Sequence, residues 1–140
     1  MNIVQMASFT VLGREARTSN AKEMSGQGVI GAMWSRGVPE GPVFAVYSKY
    51  ESDKDGAYSY LLGRRTDGNE TLPMQVDYCI IQPGPYWQLG FDGSISPEAV
   101  VGLWRQVWEA EQSGKIQRAY KTDFESYGET GFELYIGLKG

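Results

Sequence analysis

Glu125 stands among aromatic side chains in a segment that has the pattern of a β-strand. It lies between Phe124 and Ser126, with Tyr127 beyond. A carboxylate in such surroundings is either a solvated charge on an exposed strand or the polar centre of an apolar pocket, where lost hydration is costly unless the group is paired or protonated. An arriving cation would supply the missing partner, and each ring face would add roughly 0.5–2 kcal/mol of cation–π attraction. Glu133 on the next strand is a second candidate for this charge, because it faces away from the apolar stripe of that strand.

The residue types exclude several kinds of catalytic site. The chain has no histidine and one cysteine, Cys79, which rules out a Ser-His-Asp triad, a Cys-His pair, the usual zinc sites and an internal disulfide. Cys79 lies in the apolar run Val76–Ile81, which predicts a buried, inert thiol. Catalysis, if present, would rest on carboxylates, tyrosines, lysines or a bound cofactor. We predict no catalytic residue, no metal and no cofactor.

A glycine pattern at Gly26, Gly28 and Gly31 matches the letters of a dinucleotide-binding loop. That motif must directly follow a buried strand and open the helix of a βαβ unit. Here a polar segment precedes it, so we interpret the glycines as positions where a helix packs closely on a sheet.

Composition and net charge limit the classes of binding partner that we expect. The net charge of −4 and the pI near 4.8 argue against nucleic acid and favour a positively charged ligand. No run of about 18 apolar residues and no charged-then-apolar leader is present, so we expect no membrane span and a cytoplasmic location. Aromatic residues reach 13%, with nine tyrosines and four tryptophans, which indicates either a core rich in rings or an aromatic-lined pocket.

The segment that contains Glu125 resembles a second segment earlier in the chain. Tyr120–Leu138 reads as two strands joined by a turn at Gly128–Gly131, and Tyr47–Gly63 has a similar pattern. Each copy follows a helical segment that contains tryptophan. We therefore expect one domain built from two related units, about 1–70 and 71–140.

The pattern along the chain predicts strand-helix-strand-strand, repeated. A polar loop is expected over Arg14–Asn20 and a polar connection over Arg65–Leu72. Ser96, Pro97 and Glu98 form a strong helix start, and that helix should end near Ser113-Gly114. The remaining predicted elements are a helix over Ala21–Arg36 and strands over Ile3–Leu12, Val43–Tyr50, Ala57–Arg64, Met74–Ile81 and Tyr86–Phe91. The fold class is α+β, with an antiparallel sheet, two helices and a central ligand cleft between the halves.

The whole chain resembles the GyrI-like small-molecule-binding domain, the effector-binding domain of AraC-type and MerR-type multidrug-responsive regulators. The resemblance lies in the order and spacing of Met33-Trp34, Tyr47–Gly63, Pro83-Gly84-Pro85-Tyr86, Ser96–Trp108, Asp123–Tyr127 and Phe132–Lys139. No helix-turn-helix segment precedes the first strand, so the chain is similar to free-standing members, some of which are carried as mobile gene cassettes.

The resemblance implies a cleft that binds lipophilic cations through a carboxylate set among rings. It places the pocket glutamate at Glu125 and wall positions near Phe44, Tyr58, Ile30 and Val100. Trp34 and Trp104 would supply stacking, although core packing is an alternative role for both. The complete set of candidate ligand-binding residues is Glu125, Trp34, Phe44, Tyr58, Tyr60, Trp87 and Trp104.

Three functional hypotheses follow from these observations. The first is non-catalytic binding of lipophilic, aromatic or amphipathic cationic small molecules. The second is an enzyme that hydrolyses strained electrophilic natural products with the same glutamate. The third is inhibition of a protein partner such as gyrase, supported only by the acidic balance and the charge cluster Glu51–Asp55. A homodimer is left open.

Overall fold

A computed structural model describes residues 1–66 and 76–140. In these ranges it contains eight strands and three helices. The helices are α1 (Asn20–Met24), α2 (Ile30–Ser35) and α3 (Pro97–Gln112). The strands are β1 (Asn2–Met6), β2 (Phe9–Ser19), β3 (Val43–Ser48), β4 (Ala57–Thr66), β5 (Asp77–Ile81), β6 (Gly84–Asp92), β7 (Arg118–Tyr127) and β8 (Gly131–Leu138).

All eight strands form one antiparallel sheet in the order β1-β6-β8-β7-β3-β4-β2-β5. The order is symmetric about the central β7–β3 pair. Counted from the edge inwards, each strand on one side corresponds to a strand on the other: β1 to β5, β6 to β2, β8 to β4 and β7 to β3. The predicted α+β fold with an antiparallel sheet is therefore confirmed. The boundary of the two units, near residue 70, lies outside the described residues and stays a prediction, as does most of the connection Arg65–Leu72 and the start of the strand predicted at Met74.

The sheet is strongly curved, and its concave back face holds one apolar core. Only two residues join Met6 of β1 to Phe9 of β2, yet these strands lie near opposite ends of the sheet order. Because two linking residues span at most about 11 Å, the two ends must lie close together. The buried back-face cluster draws on both ends and the centre of the sheet, and comprises Phe9, Val11, Val46, Leu61, Cys79, Ile81, Tyr86 and Phe124.

The front face of the sheet carries the helices. α3 packs over Leu134, Ile136 and Phe132 of β8, and α2 packs over Tyr60 and Leu62 of β4. This arrangement places one helix on each half of the sheet and leaves the centre, over β3 and β7, between them.

The start and end of α3 agree with the sequence prediction. The Ser96 hydroxyl accepts the Ala99 backbone N–H at 3.2 Å, and Pro97 is the first helical residue. Ser113 ends the helix, and Gly114 follows with a φ of 81°. Of the apolar side chains of α3, Trp104 and Val107 are buried, whereas Val101 is 41% exposed.

The first half departs from the sequence prediction at three places, the first of which is its helix. The single helix over Ala21–Arg36 is two short helices, because the chain turns at Gly26 with a φ of 82°. The Glu23 carboxylate accepts the Val29 N–H at 2.9 Å, at the start of α2. There are consequently three helices rather than two.

The predicted strand Ile3–Leu12 is divided between β1 and β2, and the predicted loop Arg14–Asn20 is largely strand. Arg14 to Ser19 pair with β4 in continuous register, from Arg14 opposite Leu62 to Ser19 opposite Ala57. This segment lacks an apolar pattern in the sequence, and its pairing with β4 identifies it as strand. No helix in residues 1–66 or 76–140 is long and apolar enough to cross a lipid bilayer.

Candidate ligand-binding cavity

A cavity of about 1000 Å³ opens on the front face between α1, α2 and α3, over the central strands. Its volume lies at the upper end of the range of sites for drug-sized ligands. Aromatic side chains from both halves form most of its walls. They are Trp34, Tyr47, Tyr50, Tyr58, Tyr60, Trp104, Trp108 and Tyr127.

Glu125 lies at the floor of this cavity, on β7, and is only 2% exposed. Its Oε2 accepts the indole N–H of Trp104 at 2.8 Å and the hydroxyl of Tyr47 at 3.1 Å. Its Oε1 accepts the hydroxyl of Tyr127 at 2.8 Å. Within the described residues no lysine or arginine forms an ion pair with this carboxylate. Glu125 is thus a buried acceptor held by three neutral donors.

Burial raises the pKa of Glu125 above the usual carboxyl range, and the hydrogen bonds from Trp104, Tyr127 and Tyr47 partly oppose that rise. Burial likewise raises the pKa of Tyr47, and the nearby Glu125 adds to it. The tyrosines therefore remain protonated donors at neutral pH. The electrostatic character of the cavity floor depends on whether Glu125 is ionised.

The rings form a continuous wall. Tyr47 contacts the rings of Trp104, Tyr60 and Tyr58, with centroids 5.0, 5.2 and 5.3 Å apart. Trp34 packs edge-on against Tyr127 at 4.8 Å and donates its indole N–H to the Tyr60 hydroxyl at 2.9 Å. This hydrogen bond, together with those that Glu125 accepts, fixes the polar ends of the rings.

Five of the seven residues predicted for the site line the cavity: Glu125, Trp34, Tyr58, Tyr60 and Trp104. The helix positions Ile30 and Val100 line it as well.

The structure does not bring the other two candidates to the cavity. Phe44 alternates with Val43 and Ala45 on β3, so its ring faces the back, where it contacts Phe9 at 5.9 Å. Trp87 on β6 packs against the cluster under α3. We correct the predicted site by leaving out both residues.

Glu133, the alternative charge, is exposed and does not line the cavity. It accepts hydrogen bonds from Gln88 and, at 3.0 Å, from Tyr135. The cluster Glu51–Asp55 forms the turn between β3 and β4, where Lys54 pairs with Asp55 at 3.1 Å. Lys54 itself lies at the cavity wall.

Several cavity residues were not predicted for the site from the sequence, among them Tyr47, Tyr50, Tyr127 and Arg118. Tyr47 shares its strand face with Val43 and Ala45, and this period of two could have indicated its direction. No signal in the sequence indicates that this face borders a cavity.

Arg118 and Asp123 form a buried ion pair beside the cavity. Arg118 Nη2 lies 2.8 Å from Asp123 Oδ2, and the side chains are 2% and 1% exposed. Burial alone would lower the pKa of Arg118, but the charge of Asp123, its hydrogen bond to Arg118 and the nearby Tyr50 and Tyr120 together raise it. Asp123 also accepts the Gly137 N–H at 2.7 Å and the Tyr50 hydroxyl at 2.5 Å. The pair fixes the bulge at which β7 shifts its register against β8.

Metal-binding groups are not assembled in the cavity. In the part of the chain that the structure describes, no three His, Cys, Asp or Glu side chains are grouped so that they could hold a metal ion. The chemistry available here is that of carboxylates, of which Glu125 is the buried one, of basic side chains, of hydroxyl and indole donors, and of ring faces.

Comparison with known proteins gives relatives over almost the full length. YobU of Bacillus subtilis (strain 168), named as a transcriptional regulator protein, is 27% identical over 148 aligned positions, covering 91% of this chain and 90% of YobU. An integron cassette protein from the mobile metagenome of Vibrio cholerae, VCH_CASS2, superposes with a TM-score of 0.82 at 29% identity, covering 99% and 95% of the two chains.

A more distant structure shares the fold. SAV2435, solved with bound tetraphenylphosphonium, superposes with a TM-score of 0.75 at 18% identity, over 99% of this chain and 93% of SAV2435. The family described as Cass2, integron-associated effector binding protein, matches residues 2–138. The chain therefore belongs to the Cass2 family of integron-associated effector binding proteins.

Proposed function

We propose that this protein binds lipophilic, aromatic cations in its front-face cavity without altering them, with Glu125 as the counter-charge. The observation that carries the proposal is a 2%-exposed carboxylate that has three neutral donors and no ion-pair partner among the described residues. A buried carboxylate without a cation is under-stabilised, and a bound cation would supply what is missing.

The walls suit the same class of ligand. Rings from both halves present flat, polarisable faces, and such faces attract a cation most strongly where water is excluded. The relative SAV2435 was solved with tetraphenylphosphonium, a cation of this kind. Flat walls make few shape-specific contacts, so charge and hydrophobicity would dominate selection.

The test is a titration with tetraphenylphosphonium, followed by tryptophan fluorescence. We expect Glu125→Gln to weaken binding at least about tenfold, roughly 1.4 kcal/mol, because the amide keeps the volume but removes the charge. Glu133→Gln is the matched control: it makes the same chemical change at an exposed site outside the cavity, and its affinity should stay within about twofold of wild type. Equal binding by wild type and Glu125→Gln would refute the proposal.

Mass spectrometry of the ligand after incubation separates binding from hydrolysis. An unaltered ligand is expected, because both oxygens of Glu125 already accept hydrogen bonds from protein donors. A hydrolysed strained electrophile would instead support the enzymatic alternative.

A further inference from the structure

Two buried N–H donors at the cavity wall have no acceptor. They are the Nε of Arg118 and the indole Nε1 of Trp108, which lack hydrogen-bond partners among the described residues. Both residues line the cavity, and Arg118 is 3% exposed. Buried polar groups are nearly always paired, so an orphaned donor beside a ligand cavity points to an acceptor that arrives with the ligand.

Arg118 is the stronger candidate for binding a ligand acceptor, because some N–H groups of its guanidinium make no hydrogen bond to the described residues. A guanidinium carries five N–H donors. Nη2 donates to Asp123 at 2.8 Å and to the Tyr50 hydroxyl at 3.4 Å, and Nη1 donates to the Tyr120 hydroxyl at 3.4 Å. Nε donates to none of the described groups. Arg118 can therefore still donate a hydrogen bond, although Asp123 already neutralises its charge.

The position of Arg118 relative to Glu125 lets one ligand reach both. The Trp104 ring is near both: its centroid is 5.8 Å from Arg118 Cζ, and its indole N–H donates to Glu125 at 2.8 Å. A molecule that lies against this ring therefore has the carboxylate and the guanidinium within its reach.

We propose that the ligands of this cavity are cations that also carry a neutral hydrogen-bond acceptor, such as the carbonyl oxygen of an ester, amide or ketone, and that Arg118 binds this acceptor. The inference rests on the proposed function, since it assigns the cationic end to Glu125. A carboxylate is a poorer match, because Asp123 already cancels the Arg118 charge and Glu125 lies across the same ring.

Three triphenylphosphonium compounds test this directly. Their fourth substituent is a pentyl chain, a butyl chain ending in a methyl ester, or a butyl chain ending in a carboxylate. By titration calorimetry at about pH 7, we expect the ester to bind wild type at least about threefold more tightly than the pentyl compound. The carboxylate should show no such gain. An ester that binds no better than the pentyl compound, or a carboxylate that binds best, overturns the proposal.

Variants assign the effect to a residue. Arg118→Lys keeps a cation for Asp123 but removes the Nε–H and the planar fork, so the ester should lose its advantage over the pentyl compound. Lys121→Gln removes an exposed cation that does not line the cavity and should retain the advantage. Loss of the advantage in Trp108→Phe alone, with Arg118→Lys unaffected, would transfer the role to Trp108 and overturn the assignment.

The outcomes for the two proposals differ. The pentyl compound reports on the proposed function, whereas the ratio of ester to pentyl affinity reports on the acceptor site. If Arg118→Lys does not fold, the wild-type ratio still decides. If none of the three compounds binds, both proposals fall together.

Discussion

Glu125 loses hydration on folding without gaining an opposite charge, and this gives its protonation a defined effect on stability. Its pKa in the folded protein is raised by burial, whereas the unfolded chain keeps a value near 4.5. The folded state therefore holds this proton more tightly. The stabilisation is complete below the unfolded-state pKa and is lost as the pH rises through the raised folded-state pKa.

We expect Glu125→Gln to remove this dependence. Relative to wild type, the free energy of unfolding of the variant should improve from about pH 4 to about pH 8, by about 1.4 kcal/mol for each unit by which folding raises the pKa. Urea unfolding across this range measures it, with Glu133→Gln as the control for loss of one carboxylate. Parallel pH profiles for wild type and Glu125→Gln would contradict the argument.

At the scale of elements, the β2–β4 pair depends on two glycines facing each other. Gly13 pairs with Gly63, and a Cβ on Gly63 would lie 1.7 Å from the Leu12 carbonyl oxygen. The obstacle is backbone, so no side-chain rotation relieves it. β4 carries Tyr58 and Tyr60 to the cavity, so this close approach supports the aromatic wall.

Gly63→Ala should lower the free energy of unfolding by roughly 1–3 kcal/mol or more, because the strands must separate. Gly102→Ala is the matched control: it lies within α3 with nothing within 4 Å of an added Cβ, and it should stabilise the protein by roughly 0.5–1 kcal/mol. Denaturant unfolding of both variants checks the pair. A Gly63→Ala protein as stable as wild type would show that the strands separate at no cost.

The elements that were predicted well have local signals. Ser96 and Pro97 mark the start of α3, and Gly128–Gly131 marks the turn between β7 and β8, so neighbouring residues were sufficient. The strand at Arg14 to Ser19 has no such signal, since its pairing with β4 is long-range. Phe44, which the resemblance placed near the cavity wall, was misplaced for a related reason: a shift of one residue reverses the face of a strand, and only the assembled sheet shows which face borders the cavity.

The candidate site was predictable in part. Glu125 was identified from its aromatic neighbours, and the resemblance to effector-binding domains is confirmed at the level of the family. Tyr47 and Arg118 could not be placed from the sequence, because they reach the cavity only when β3 and β7 pair at the centre of the sheet.

For the whole molecule, ligand binding should appear as thermal stability. A ligand that binds only the folded state stabilises it by about 2.7 kcal/mol at a concentration of 100 times Kd. For a chain of 140 residues we expect a rise in Tm of about 5–10 °C with tetraphenylphosphonium. Differential scanning calorimetry measures this rise.

The rise should fall to about half or less in Glu125→Gln at the same concentration, because tenfold weaker binding leaves only about 1.4 kcal/mol of stabilisation, and it should stay intact in Glu133→Gln. An equal rise in all three proteins would mean that the phosphonium acts elsewhere on the molecule.

The symmetric strand order has a consequence for how a guest is oriented. Helices of both halves border the cavity, with Trp34 of α2 on one side and Trp104 of α3 on the other. A molecule without distinct ends therefore contacts two similar walls and could bind in two opposite orientations. The ionisable groups are not duplicated at the central pair: Glu125 and Arg118 both lie on β7, and β3 carries no charged residue. A guest with two different ends would therefore be held in one pose, while a tetrahedral guest could exchange between two.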